Sequence, residues 1–286
     1  MISYVDLSRF KGTAGLNLNI DGAGTSMDVV LRSVGEAVSQ AIDAYCDRTF
    51  MVTVAEQRFF DGNGTGYLRV NDYVSLAEIA EDDRQDGTFG VTWGANDYAN
   101  WPYNANPTSL QGSPYRVIYV SSKSNGTQDH FQRGQRNYRV TGTWGYSRAT
   151  SSSGLTGTIG SATSTITLTL SAAIGTVIAV GQSLAVGTEI MYVKEAPSST
   201  ATTVTVVRAQ QNSSATAHTA VGVNVFVYPG PVTEAAFIQA ARLWRRKDSA
   251  FASQAGLLET GQLVVFQGGL DQDVKMLLSP YRRRAV

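Results

Sequence analysis

The sequence predicts an α+β protein. A discontinuous helical domain with a β hairpin, residues 1–150 and 230–286, carries an inserted small all-β barrel or sandwich at residues 151–229. Three observations lead there: apolar residues at helical spacing before residue 46, a glycine-rich turn between two strand-like runs, and an abrupt change of composition at Ser151.

The first helix is the best defined element. Thr25 or Ser26 is placed to cap it, and Met27, Val30, Leu31, Val34, Val38, Ala41, Ile42 and Tyr45 recur at 3.6-residue spacing, which puts them on one buried stripe. Cys46 at its end reads as a small buried hydrophobe. Thr53 to Phe60 and Tyr67 to Val70 then flank Asp61-Gly62-Asn63-Gly64-Thr65-Gly66, the pattern of a β hairpin. Residues 151–229 contain 25 Ser or Thr among 79 and only four charges, and runs such as Thr163 to Leu170 and Thr202 to Val207 alternate with period two. With shorter runs at Thr176 to Val180, Glu189 to Val193 and Val223 to Val227, about five to seven strands are predicted. The tract Ser151-Ser152-Ser153-Gly154 and the turn Pro229-Gly230-Pro231 read as its linkers. Pro231 then suits the first turn of a helix over Val232 to Lys247, which is apolar nearly all round until Arg242, Arg245, Arg246 and Lys247 meet the negative end of its dipole. A last helix, capped by Asp271, puts Leu270, Val274, Leu277, Leu278 and Tyr281 on one face and ends in Arg282-Arg283-Arg284.

The formal net charge is zero, yet charge is segregated along the chain. Residues 1–100 carry −8, residues 101–150 carry +5, residues 151–229 carry 0 and residues 230–286 carry +3. Such polarity suits head-to-tail association of copies, or a dipole cancelled inside the monomer.

Enzymatic chemistry finds no constellation. A single cysteine makes no disulfide, and His130 and His218 leave little for a zinc or haem site; both read as surface or turn histidines. No phosphate-binding G-x-x-x-x-G-K-[ST] occurs. Asp61, Asn63, Thr65, Gly66 and Asp72 fall at calcium-loop positions, but strand-like flanks favour a plain hairpin. Glu81, Asp82, Asp83 and Asp86 read as a solvated acidic loop rather than as a paired acid and base. The chain is therefore read as not an enzyme, with no cofactor and no metal. Its start lacks a basic segment followed by an apolar run, and no stretch of 18 apolar residues occurs, so neither a cleaved secretion signal nor a membrane span is expected. Arg133, Arg136, Arg139 and Arg148, interleaved with Phe131, Tyr138, Trp144 and Tyr146, suit either a sequence-neutral lining for DNA or a contact with the acidic first third of another subunit.

The order of several motifs carries a resemblance. Ala41-Ile42-Asp43-Ala44-Tyr45-Cys46-Asp47-Arg48-Thr49-Phe50 is followed by Arg58-Phe59-Phe60-Asp61-Gly62, Gly87-Thr88-Phe89, Trp93, Asp97-Tyr98, Pro102, Asn104-Ala105, Gly112, Pro114-Tyr115 and Trp144-Gly145-Tyr146. After the insert come Pro231-Val232, Ala235-Ala236, Ala240 to Asp248, and Leu270 to Val274 with Leu278 and Tyr281-Arg282-Arg283. Over roughly residues 5–148 and 230–284 the chain resembles the head-tail connector, or adaptor, proteins of tailed bacteriophages. The insert resembles a small β module of phage structural proteins through Val180 to Leu184, Glu189 to Val193, and Val204 to Arg208 followed by Ala217-His218.

The resemblance implies an α-helical connector core with a β hairpin, assembled as a homo-oligomeric ring of roughly twelve subunits between the portal and a stopper, tail-terminator or other neck protein. Such a ring continues the channel for non-specific passage of double-stranded DNA at the head-tail interface of the virion, after assembly in the host cytoplasm, without a membrane partner. Leu270, Asp273, Val274, Leu277, Leu278, Tyr281, Arg282, Arg283 and Arg284 would form the portal-docking arm. Arg133, Arg136, Arg139, Arg148, Glu81, Asp82, Asp83 and Asp86 are the inter-subunit or channel-lining candidates. The alternatives are a stopper or tail-completion protein of the same neck, a virion glycan- or receptor-binding protein acting through the β insert, and an enzyme using the acidic loop.

Overall fold

The computed structural model describes residues 2–11, 25–110, 112–122, 126–164, 166–246, 254–256, 263–265 and 269–283. The chain divides into two compact units. One comprises Met1–Asp47, Ser151–Gln210 and Ser214–Val286, and the other Arg48–Thr150 with Gln211–Ser213. Each unit carries as many acids as bases, so the polarity seen along the sequence does not persist between units.

The unit built from Arg48–Thr150 is an antiparallel sheet and corrects the expected helical core. Its strands are β1 (Thr53–Gly62), β2 (Tyr67–Glu81), β3 (Val91–Thr92), β4 (Tyr98–Trp101), β5 (Tyr115–Val120) and β6 (Gly134–Trp144), in the order β1-β6-β2-β5-β4 with β3 on β2. The physical reason lies in runs such as Tyr115 to Val120 and Tyr138 to Trp144, where β-branched and aromatic residues suit a pleated, half-buried surface. One side of the sheet buries Leu68, Val70, Tyr73, Ile79, Ile118, Tyr138, Val140 and Trp144, and Trp93 stacks on Phe131 at 4.5 Å within that core.

The expected hairpin is also corrected. β1 and β2 follow one another across the Asp61 to Gly66 turn, but β6 lies between them, pairing Phe59 with Arg139 on one side and Ile79 with Val140 on the other. The turn bonds to a third segment instead: Gly64 N–H donates to the Phe131 carbonyl and Phe131 N–H to that of Thr65. A long β6 able to bury Tyr138, Val140 and Trp144 outweighs the local turn preference.

The other unit contains a closed antiparallel barrel: β7 (Thr150–Ile159), β8 (Thr167–Leu170), β9 (Ser183–Val186), β10 (Glu189–Glu195), β11 (Thr203–Val207) and β12 (His218–Phe226), in the cyclic order β10-β11-β8-β7-β12-β9. Period-two patterning fills it, since Thr167 and Thr169 stay outside while Leu168 and Leu170 join Leu184, Val186, Met191, Val193, Val204 and Val223 within. Closure leaves no free edge. Ser151 to Gly154, expected as a linker, is part of β7, and the Ser153 hydroxyl donates to the Val223 carbonyl at 2.6 Å.

Helices complete this unit: α1 (Leu7–Lys11), α2 (Thr25–Cys46), α3 (Gly230–Arg246) and α4 (Gln272–Leu278), with a short pair of strands β13 (Gln254–Gly256) and β14 (Leu263–Val265). Thr25 and Ser26 already lie within α2. Its buried stripe is Leu31, Val38, Ile42 and Cys46, narrower than expected, with Val30 exposed. α3 buries Val232, Ala235, Ala236, Phe237, Ala240, Ala241 and Trp244, and it packs on both α2 and α4. Lys247 lies outside the described residues.

Candidate functional site

The C-terminal arm folds back onto its own chain. Val274 and Leu278 are buried, while Leu270, Leu277 and Tyr281 are partly covered. Asp271 holds the N-cap position of α4, but its side chain makes no cap bond. Its carboxylate goes instead to Arg242 Nη1 at 2.7 Å, while Arg242 Nη2 reaches Asp273 Oδ2 at 2.9 Å. The forked guanidinium suits two carboxylates two residues apart at the start of α4, and they in turn raise the pKa of Arg242. Gln239, buried on α3, accepts the Asp271 N–H at 3.2 Å. Past α4, Arg283 N–H donates to the Cys46 carbonyl at 2.8 Å, and the Arg282 guanidinium lies 5.1 Å from the Tyr45 ring centre. The outward side of the arm is Gln272, Asp273, Lys275 and Met276, the last 68% exposed. Arg284 lies outside the described residues.

The channel-lining candidates part company. Glu81 and Asp82 are buried, which corrects their reading as a solvated loop and removes both from any lining. Glu81 Oε2 accepts the Trp93 indole N–H at 2.9 Å, and Asp82 accepts the N–H groups of Asp86 and Gly87. These two acids close the turn after β2, where Asp83 and Asp86 remain exposed. Of the bases, Arg133 and Arg136 are exposed, and Arg139 pairs with Glu78 at 3.4 Å. Arg148 is partly covered, its N–H donating to the Pro107 carbonyl at 2.8 Å. The interleaved aromatics Phe131, Tyr138 and Trp144 lie in the core and are not stacking platforms. Arg136 and Arg139 cover other rings, 4.8 Å from Phe59 and 5.0 Å from Phe89.

The calcium-loop oxygens do not converge. Asp61 accepts the Arg136 N–H, Asn63 and Thr65 bond within the turn, and Asp72 is buried 3.4 Å from Arg48. Among the described residues no group of three or more His, Cys, Asp or Glu is placed to hold a metal ion.

One polar cluster was missed. His218, expected at the surface, is buried beside Glu189, which is 0% exposed. Arg208 Nε and Nη2 donate to the two carboxylate oxygens of Glu189 at 2.9 and 2.7 Å, and His218 Nε2 lies 3.0 Å from Oε2. The N–H groups of Ala209 and Thr216 donate to the same carboxylate, while Arg208 also reaches the carbonyls of Gly160, Ala162 and Thr216. Burial alone would raise the pKa of Glu189, but Arg208, these N–H groups and His218 outweigh it and hold it below its ordinary value. The arrangement ties the loops at one end of the barrel together, and its donors are spent on the protein itself. Its sequence signal was faint: a glutamate opening β10 and a lone arginine after β11, in a segment with only four charges.

Comparisons of the chain with models of protein families, with curated proteins and with solved structures find no match.

Proposed function

We propose that the chain is a structural virion protein forming a ring of roughly twelve subunits, which joins the capsid portal to the tail or neck proteins and continues the DNA channel. The reading does not depend on a helical core. It is supported by the ordered motifs of residues 41–146 and 231–283, and the observation that carries it is the C-terminal arm. Arg242 and Gln239 hold that arm against α3 and leave Met276 and Lys275 outward. Docking then falls on Lys275, Met276 and Arg282, because Val274 and Leu278 are spent inside the subunit. An exposed methionine next to Lys275 is an adaptable apolar anchor with a polar rim.

Native mass spectrometry of the full chain, alone and mixed with the portal protein of the same phage, tests this. The full chain is expected to join the portal in about twelve copies, and Met276→Asp, which alters a solvent-exposed position, to lose the complex while keeping the circular dichroism of the parent. A folded full chain that stays monomeric with the portal present overturns the assignment. A Met276→Asp variant that binds unchanged overturns the role given to the arm.

A further inference from the structure

Two apolar surfaces of unlike shape stand on different parts of the chain, and neither the cores nor the C-terminal arm uses them. The first is the loop from Pro102 to Pro114 between β4 and β5, where Tyr103 and Leu110 are 69% and 55% exposed. The loop is held from within. Pro107 is buried, and its carbonyl accepts the Arg148 N–H and the Ser147 hydroxyl, both at 2.8 Å. Backbone bonds from Ala105 to Pro102, from Ser109 to Asn106 and from Gly112 to Ser109 fold it into successive turns. Gly112 closes it so tightly that an added Cβ would stand 1.5 Å from the Asn106 carbonyl oxygen. A loop so constrained presents its two large side chains with little backbone entropy left to lose on contact.

The second surface is concave, a groove of about 430 Å³ between the start of α2 and the end of β10. Val29, which is 56% exposed, lines it with Ala196 and Pro197, and Val30, next along the helix, is exposed too. The charged lining is balanced, Asp28 and Glu195 against Arg32 and Lys194. Much of it is already engaged within the chain. Arg32 stands 3.8 Å from Glu36 and donates to the Lys194 carbonyl at 3.3 Å, while Glu195 accepts the Thr205 hydroxyl at 3.4 Å. Such a groove suits an apolar occupant without net charge, and a charged one would enter at the cost of its own desolvation. The loop meets that condition, because residues 98–115 contain no acid, base or histidine.

We propose that the loop carrying Tyr103 and Leu110 on one copy of the chain docks in the α2–β10 groove of a second copy. The two surfaces differ, so the contact is heterologous, and each pair of copies keeps one loop and one groove for further neighbours. A rotation that closes gives a ring, and one that does not gives a filament. The contact deepens the ring reading and rests on it for the number of copies, but the contact itself is testable without the portal.

The test is sedimentation velocity of the full chain over a range of concentrations, beside Leu110→Asp and Val29→Asp. Both positions are exposed, and an acid near a helix N-terminus agrees with the dipole, so circular dichroism should match the parent. Each variant is expected to weaken self-association at least about 30-fold, while Leu110→Met and Val29→Ile keep it. An equimolar mixture of the two aspartate variants is expected to form dimers and nothing larger, because it offers one intact loop and one intact groove. Parent-like assembly by either variant shows that its surface meets something else and overturns the contact, as does a mixture that forms no dimer. A parent that stays monomeric overturns it too, while twelve copies of that parent on the portal would leave the ring reading in place. Parent assemblies that both variants abolish, but that ignore the portal, uphold the contact and remove the ring reading.

Discussion

Replacing Arg208 by methionine tests whether the Glu189 cluster holds the barrel closed. Both side chains are almost fully buried, at 2% and 0% exposure, so water cannot take over the bonds that the substitution removes. Glu189 would lose two of its five donors and keep only His218 and the N–H groups of Ala209 and Thr216. The carbonyls of Gly160, Ala162 and Thr216 would lose their partner as well. Breaking a buried pair by removing one member costs about 3–5 kcal/mol, whereas replacing both by apolar residues of similar volume is often neutral. Hydrogen exchange of the amides in 183–226, read by mass spectrometry, isolates the barrel from the rest of the chain. Arg208→Met is expected to lower their protection roughly 150- to 5,000-fold. Adding Glu189→Leu should recover part of that loss, giving a coupling of at least about 1 kcal/mol in a double-mutant cycle. Additive losses, or a single-variant cost below about 1 kcal/mol, would refute the reasoning, because the carboxylate would then not depend on the guanidinium.

The same cluster sets a pH dependence. Glu189 titrates below its ordinary value of 4.5 in the folded chain, so its contribution to stability is complete above that value and is lost as pH falls through the lower folded value. Glu189→Gln should flatten the acid limb of barrel unfolding below about pH 4.5, monitored by circular dichroism, and an unchanged limb counts against the assignment. Arg242→Ala should loosen α4 with little effect elsewhere. Its side chain is 43% exposed, so the two ion pairs together are worth about 0.5–1 kcal/mol, visible as faster exchange of the amides in 274–278. Gly145 has φ +132°, and an added Cβ would stand 2.5 Å from the Met51 carbonyl oxygen and 2.9 Å from Val52 Cα. Gly145→Ala should therefore cost roughly 2–4 kcal/mol in urea unfolding of the sheet, and a cost under about 0.5 kcal/mol would show that the backbone there can shift.

What the sequence made legible, and what it hid, follows from the range over which each signal acts. The alternation of Thr167 to Leu170 and Thr203 to Val207 marks strands locally, and those strands line the barrel with Leu168, Leu170, Val204 and Val206. Pro231 marks the first turn of α3 equally locally, and Val232 N–H bonds back to the Pro229 carbonyl. The sheet of 53–144 was hidden because its decisive contact joins β1 to β6 across some 75 residues, as in the bond from Gly62 N–H to Asn137 Oδ1. The turn between β1 and β2 signals only its immediate neighbours. Serine tracts are a second ambiguity. Ser151 to Gly154 have linker composition, but hydroxyls also bond across a ladder, and Ser153 does so to Val223.

Register also explains why the arginines were grouped with the wrong rings. In the sequence Arg136, Arg139 and Arg148 stand among Phe131, Tyr138 and Trp144, which suggests one basic aromatic patch. A strand separates neighbours onto opposite faces, so Tyr138 and Trp144 go inward while Arg139 goes outward to Phe89, and Arg136, where a left-handed backbone (φ 50°) breaks the alternation, meets Phe59. Arg58 over Trp144 and Arg116 over Trp101 repeat the pattern in the same unit, while Arg69 lies over Tyr67 of its own strand. A guanidinium laid on a ring covers apolar surface and keeps its charge at the rim, which lets a sheet carry large aromatics on its outer side without exposing their whole faces. Where a carboxylate shares the cluster, as Glu78 does with Arg139, the cation is committed within the chain.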